Sequence, residues 1–125
     1  MILKRTIALL IATDVDLKKL VADREETVTD STLEGAAAFV RDVAALANVQ
    51  VNVGALTAVR AIYIETDREV RLHLGAVDAD AVAIKPISED QTAVAYLETD
   101  VAALWVENPS ATAVAAVTII TAGTI

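Results

Sequence analysis

The stretch that most limits the fold is residues 59–74, Val-Arg-Ala-Ile-Tyr-Ile-Glu-Thr-Asp-Arg-Glu-Val-Arg-Leu-His-Leu. Ile, Val, Leu and Tyr crowd its two arms, and such side chains suit a pleated, half-buried surface. Between the arms lie Thr66, Asp67, Arg68 and Glu69, which are polar and can turn. In the second arm Val70, Leu72 and Leu74 alternate with Arg71 and His73. Period-two alternation marks a strand with one wet face. The stretch reads as two short strands folded back on each other. The other segments read as further strands laid against this pair.

Downstream of Asn48 the pattern continues. Val49, Val51 and Val53 alternate with Asn48, Gln50 and Asn52 until Gly54, which predicts a strand over 48–56. A strand is expected over 81–85, stopped by Pro86, and another over 92–97, turned by Glu98, Thr99 and Asp100. Residues 101–106 form the next. Glu107, Asn108, Pro109 and Ser110 make a strong turn, because proline sets φ and Asn and Ser bond their own backbone. Residues 113–121 are a long, β-branched final strand. Turn signals spaced roughly eight to twelve residues apart are those of a sandwich or barrel.

The first third is less uniform. Residues 3–12 read as a buried strand. They follow basic residues and so imitate a signal peptide, but the apolar run is short and Asp14 and Asp16 follow at once. Residues 15–21 suit helix or strand, residues 22–26 a charged turn, and residues 27–29 a short β segment. Over 31–48 local rules favour a helix. Ser31 and Glu34 match a capping box. Leu33, Ala36, Ala37, Val40, Val43, Ala44 and Ala47 recur at helical spacing, and alanine is the best helix former. The strand-rich context downstream pulls the other way. No stretch approaches the roughly 20 apolar residues of a membrane helix. The expected fold is all-β, a single antiparallel β-sandwich over 1–125, jelly-roll-like, with one short helix around residues 32–47 as the open alternative.

Composition narrows the core. Hydrophobic residues make up 55% of the 125, yet aromatics only 3%, namely Phe39, Tyr63, Tyr96 and Trp105. Small Ala, Val, Leu and Ile side chains suit a thin space between sheets, or a contact repeated between copies. A net charge of −8 repels phosphate backbones, so nucleic-acid binding is not expected. There is no cysteine, which removes disulfides and thiolate chemistry.

Catalytic residue types are sparse. The one histidine, His73, stands on the polar face of its strand beside Arg71. A catalytic histidine needs a nucleophile and an orienting acid. Ser31, Ser88 and Ser110 lie in no nucleophile elbow. Asp14 with Asp16, and Asp78 with Asp80, are acid pairs without the rest of a calcium loop. The four glycines are scattered and form no phosphate cradle. We therefore expect no catalytic residues, no metal and no cofactor. Asp-Val-Ala-Ala-Leu occurs at 42–46 and 100–104, and Glu-Thr-Asp at 65–67 and 98–100. Both echoes are read as products of biased composition. If Leu104 and Val106 point to the core, Trp105 points outward, where a tryptophan is more often an interface anchor than a ligand platform. The expected interface residues are Tyr63, Arg71, His73 and Trp105, with Arg60 beside them.

The run Ile-Tyr-Ile-Glu-Thr-Asp-Arg-Glu-Val-Arg-Leu within 59–74, followed by Ala-Leu-Trp-Val-Glu-Asn-Pro-Ser at 103–110 and a Val/Ile-rich last strand, resembles small virion structural proteins of tailed bacteriophages. These are β-sandwich subunits used as capsid decorations, tail parts or baseplate and connector adaptors. The likeness covers residues 48–122 and brings no catalytic residues. It implies a non-enzymatic structural subunit located in the virion, packed against copies of itself and other virion proteins, with no nucleic-acid or membrane partner. The alternative is a carbohydrate- or receptor-binding β-sandwich module.

Overall fold

A computed structural model describes the backbone of residues 2–14, 17–29 and 33–125, with side chains described from residue 33 onward. The described residues form ten strands: β1 (Ile2–Asp14), β2 (Leu17–Thr29), β3 (Gly35–Val43), β4 (Asn48–Gln50), β5 (Ala58–Thr66), β6 (Val70–Leu74), β7 (Ala81–Ile84), β8 (Ala93–Val101), β9 (Leu104–Glu107) and β10 (Ala115–Thr124). Among the described residues there is no helix.

The chain divides into two compact units, Met1–Leu33 and Glu34–Ile125. In the first, β1 and β2 pair antiparallel as a two-stranded sheet. The charged turn expected at 22–26 is instead part of β2. Whether residues 3–12 are buried lies outside the described side chains.

The second unit holds two antiparallel four-stranded sheets, ordered β3-β10-β5-β8 and β4-β9-β6-β7. Counted from β3, the eight strands run 1-8-3-6 in one sheet and 2-7-4-5 in the other. That is the jelly-roll wrap of two Greek keys. Every connection crosses between the sheets except β6–β7, which stays within one. The all-β sandwich expectation holds for Glu34–Ile125, while β1 and β2 form a separate sheet in the other unit.

The two sheets share one core. Phe39, Val43, Ile62, Ile64, Val117 and Ile119 come from the first sheet, and Val70, Leu72, Ile84, Leu104 and Val106 from the second. Each inward row follows the period-two alternation of its strand. A buried side chain of this size contributes about 1.5–3 kcal/mol relative to exposure.

Several local expectations change. Residues 59–74 do hold two strands, but they are not a hairpin. β5 pairs with β10 and β8, while β6 pairs with β7 and β9 in the opposite sheet. The segment around residues 67–69 is therefore a crossover, pinned where Asp67 Oδ1 accepts the Ala116 N–H at 2.9 Å. The helix expected around 32–47 is replaced by strand β3. All nine of its residues align with β10, from Gly35 opposite Gly123 to Val43 opposite Ala115, without a register shift. A complete ladder outweighs helix propensity, which is a weak prior of tenths of a kcal/mol per residue. The strand expected over 48–56 pairs for only three residues, although Val51 is buried and its N–H still reaches the Leu104 carbonyl at 2.9 Å. Glu98, Thr99 and Asp100 continue β8 rather than turning it.

Candidate functional site

The sandwich presents two outer faces. One belongs to β4-β9-β6-β7. On it Arg71 stands opposite Glu107, and His73 opposite Trp105. Because Leu104 and Val106 fill the core, Trp105 faces outward, as the conditional expectation required. It is nevertheless half-buried. The β6–β7 connection, residues 75–80, folds back over this face. Its Val77 carbonyl accepts a hydrogen bond from Asn48 Nδ2 at 3.3 Å, and its Ala79 carbonyl lies 2.7 Å from His73 Nδ1. Asn48 is on β4 and His73 on β6, so the loop spans β9, which carries Trp105 between them.

His73 is only 8% exposed despite its place on the outward side of β6. A carbonyl can only accept, so Nδ1–H donates to Ala79. Nε2 lies 2.7 Å from Glu107 Oε1. The imidazolium satisfies both acceptors at once. The Ala79 carbonyl foremost, and then Glu107, hold the His73 pKa above its usual value against the opposing effect of burial. With both ring nitrogens engaged, neither is free to accept a proton from a substrate or to ligate a metal.

The other outer face belongs to β3-β10-β5-β8. Its middle row is Ala38, Ile120, Tyr63 and Tyr96, aligned across four strands. The next row is Val40, Thr118, Glu65 and Val94. Val40 is 76% exposed, Val94 59% and Ile120 44%. Tyr96 donates from its hydroxyl to Glu98 Oε1 at 3.2 Å. The neighbouring Glu65 carboxylate is the main reason the Tyr63 pKa is raised. Arg60, also on β5, pairs with Asp100 at 2.8 Å.

The expected interface residues therefore divide. Arg71, His73 and Trp105 share one face, while Tyr63 lies on the opposite sheet, as does Arg60. Tyr96, not singled out beforehand, is the direct neighbour of Tyr63. A signal for it was present. The repeated Glu-Thr-Asp extends backward to Tyr-Ile-Glu-Thr-Asp at 63–67 and Tyr-Leu-Glu-Thr-Asp at 96–100. In adjacent antiparallel strands the two copies set tyrosine against tyrosine. Among the described residues no three His, Cys, Asp or Glu gather as metal ligands, and no helix is long and apolar enough to cross a membrane. No protein-family model, curated protein or solved structure matches the chain.

Proposed function

We propose that this protein is a non-enzymatic structural subunit that acts by packing against copies of itself, as a capsid-decoration, tail or connector component of a viral particle would. The observation that carries this reading is the exposed apolar face of the β3-β10-β5-β8 sheet. Its Val40, Val94 and Ile120 lie in adjoining rows with Ala38 and the tyrosine pair. Contiguous apolar patches of this kind mark interaction sites. Four strands about 4.8 Å apart and nine residues long make a face of roughly 19 by 30 Å, near 570 Å². Two such faces bury roughly 1,100 Å², close to the lower bound of a specific interface. The Tyr96 hydroxyl is already bonded to Glu98, so covering it orphans no donor. The virion assignment rests on the resemblance of residues 48–122 to tailed-phage structural subunits.

Sedimentation velocity of the purified chain tests self-association. The wild type is expected to form a discrete oligomer, and Val40→Glu with Ile120→Glu to shift it to monomer. A wild type that stays monomeric at about 100 µM removes the reading. Immunogold labelling of intact particles from the native source tests the location.

A second reading has one observation in its favour. Tyr63 and Tyr96 side by side on an exposed sheet, each beside a carboxylate, could stack a sugar ring and accept its hydroxyls. A glycan array with Tyr63→Ala and Tyr96→Ala controls separates the two. Binding abolished by both variants favours the carbohydrate module.

A further inference from the structure

The sandwich also contains a cleft of about 340 Å³ bordered by Arg68, Glu69, Arg71, Pro109 and Ser110. Its walls are held rigidly. On one side the Thr66 hydroxyl donates to the Arg68 carbonyl at 2.7 Å and accepts the Arg68 N–H at 3.4 Å. On the other, Asn108 Oδ1 accepts the Ser110 N–H at 3.1 Å, and Ser110 Oγ accepts the N–H groups of Thr112 and Ala113 at 3.3 and 3.1 Å. The Ser110 hydroxyl proton is left to donate elsewhere.

The cations of this cleft are short of acceptors. Arg68 Nε is buried and has no hydrogen-bond partner. The Arg71 guanidinium lies 3.9 Å from Glu107 Oε2, beyond hydrogen-bond range. Glu107 is instead engaged by His73 at 2.7 Å through its other oxygen. Two guanidinium groups carry ten N–H donors between them, and a buried donor left unmade is costly. Of the bordering residues two are arginines and only Glu69 is a carboxylate, with Glu107 outside the border as an ion-pair partner of Arg71 at 3.9 Å.

We infer that the cleft between the 67–69 crossover and the 108–113 turn is an oxyanion site, in which Arg68 and Arg71 hold a phosphate or carboxylate group and the Ser110 hydroxyl donates a third hydrogen bond. Arginine suits this task because its planar fork matches both groups. Arg68 borders the cleft and carries in its Nε–H a donor without a partner of its own. Nucleic acid is not the source of the phosphate, since the surrounding acidic surface repels a polyanion. The site suits a single small anion, or one carboxylate projecting from a neighbouring protein.

The test is an NMR titration of the full ¹⁵N-labelled chain, followed at the arginine Nε–Hε signals. Inorganic phosphate and acetate are added in separate series, with chloride adjusted to constant ionic strength. The Arg68 and Arg71 signals are expected to shift and saturate with at least one of the two anions. A stronger response to phosphate assigns a free tetrahedral anion, and a stronger response to acetate assigns a protein carboxylate. Arg68→Gln and Arg71→Gln should each weaken binding about tenfold or more, while Arg41→Gln, outside the cleft, should leave it unchanged. Backbone spectra confirm that each variant is folded. Shifts that fail to saturate with either anion, or that persist equally in the Arg68 and Arg71 variants, overturn the assignment.

Discussion

Glu107 Oε1 sits 2.7 Å from His73 Nε2, whereas its other oxygen is 3.9 Å from the Arg71 guanidinium. The carboxylate therefore serves the histidine first, although arginine is the cross-strand residue opposite it. The reason is the loop at 75–80. By accepting from Nδ1 it fixes the ring so that Nε2 points to the acid.

That arrangement has a pH signature. The folded-state pKa of His73 is raised, so its stabilising contribution is fully present below the unfolded value of about 6.5 and is lost as pH rises through the folded value. Urea unfolding of wild type and His73→Gln, compared from about pH 6 to about pH 9, should show the stability gap narrowing with pH. A gap that stays constant across that range contradicts the account. The single imidazole should titrate by NMR with a midpoint above about 6.5.

Asn108 is fully buried and has its side-chain hydrogen-bonding groups engaged. Its Nδ2 donates to the Val43 and Ala113 carbonyls at 3.0 and 2.7 Å, and its Oδ1 accepts from Ser110. Asn108→Ala leaves two carbonyls without their donor and should cost about 2–4 kcal/mol. Asn108→Asp should cost at least as much, since it turns a donor toward carbonyls into an acceptor. Denaturant midpoints measure both, and a loss under about 0.5 kcal/mol for the alanine variant would contradict this role.

Gly123 lies where β10 and β5 shift register. A Cβ there would overlap the Ala58 carbonyl oxygen and press on the Val59 Cα. The obstruction is backbone, which cannot rotate aside. Gly123→Ala should destabilise by about 3 kcal/mol or more, or prevent folding. A variant with wild-type thermal stability would show that the two strands can separate freely at this point.

Leu46 has φ of 60° in the turn after β3, with its side chain exposed. An L-residue in that conformation is strained by about 1–2 kcal/mol. Its backbone N–H bonds the Ser110 carbonyl at 3.0 Å, which holds the geometry in place. Leu46→Gly should raise stability by up to about 1 kcal/mol despite the entropy glycine adds to the unfolded chain. A lower melting temperature than wild type would show that the strain is absent.

Self-association through the apolar sheet face should strengthen with salt. Each copy carries −8, and screening weakens their mutual repulsion without weakening apolar contact. Sedimentation at about 0.05 M and about 0.5 M sodium chloride should show tighter association at the higher salt. The opposite trend would indicate an interface held by opposite charges instead.

From sequence alone it was legible that side chains alternate over 48–53 and 70–74 and that Trp105 faces opposite to Leu104 and Val106; which of those two faces is inward was left to the tertiary structure. Val70 and Leu72 are buried with Arg71 between them, and Leu104 and Val106 flank an outward Trp105, because alternation is a property of the extended backbone itself. Only the tertiary structure decided which strand lies beside which. An inward valine reports a core, but the same valine serves whether its neighbour is across that core or next to it in the sheet. That is why β5 and β6 could be taken for a hairpin. It also decided that an alanine-rich segment extends along β10, where nine ladder positions outweigh local helix preference. Finally, it laid a loop over His73 and tied that loop at Val77 to Asn48, 29 positions away in the chain, a contact that no local pattern encodes.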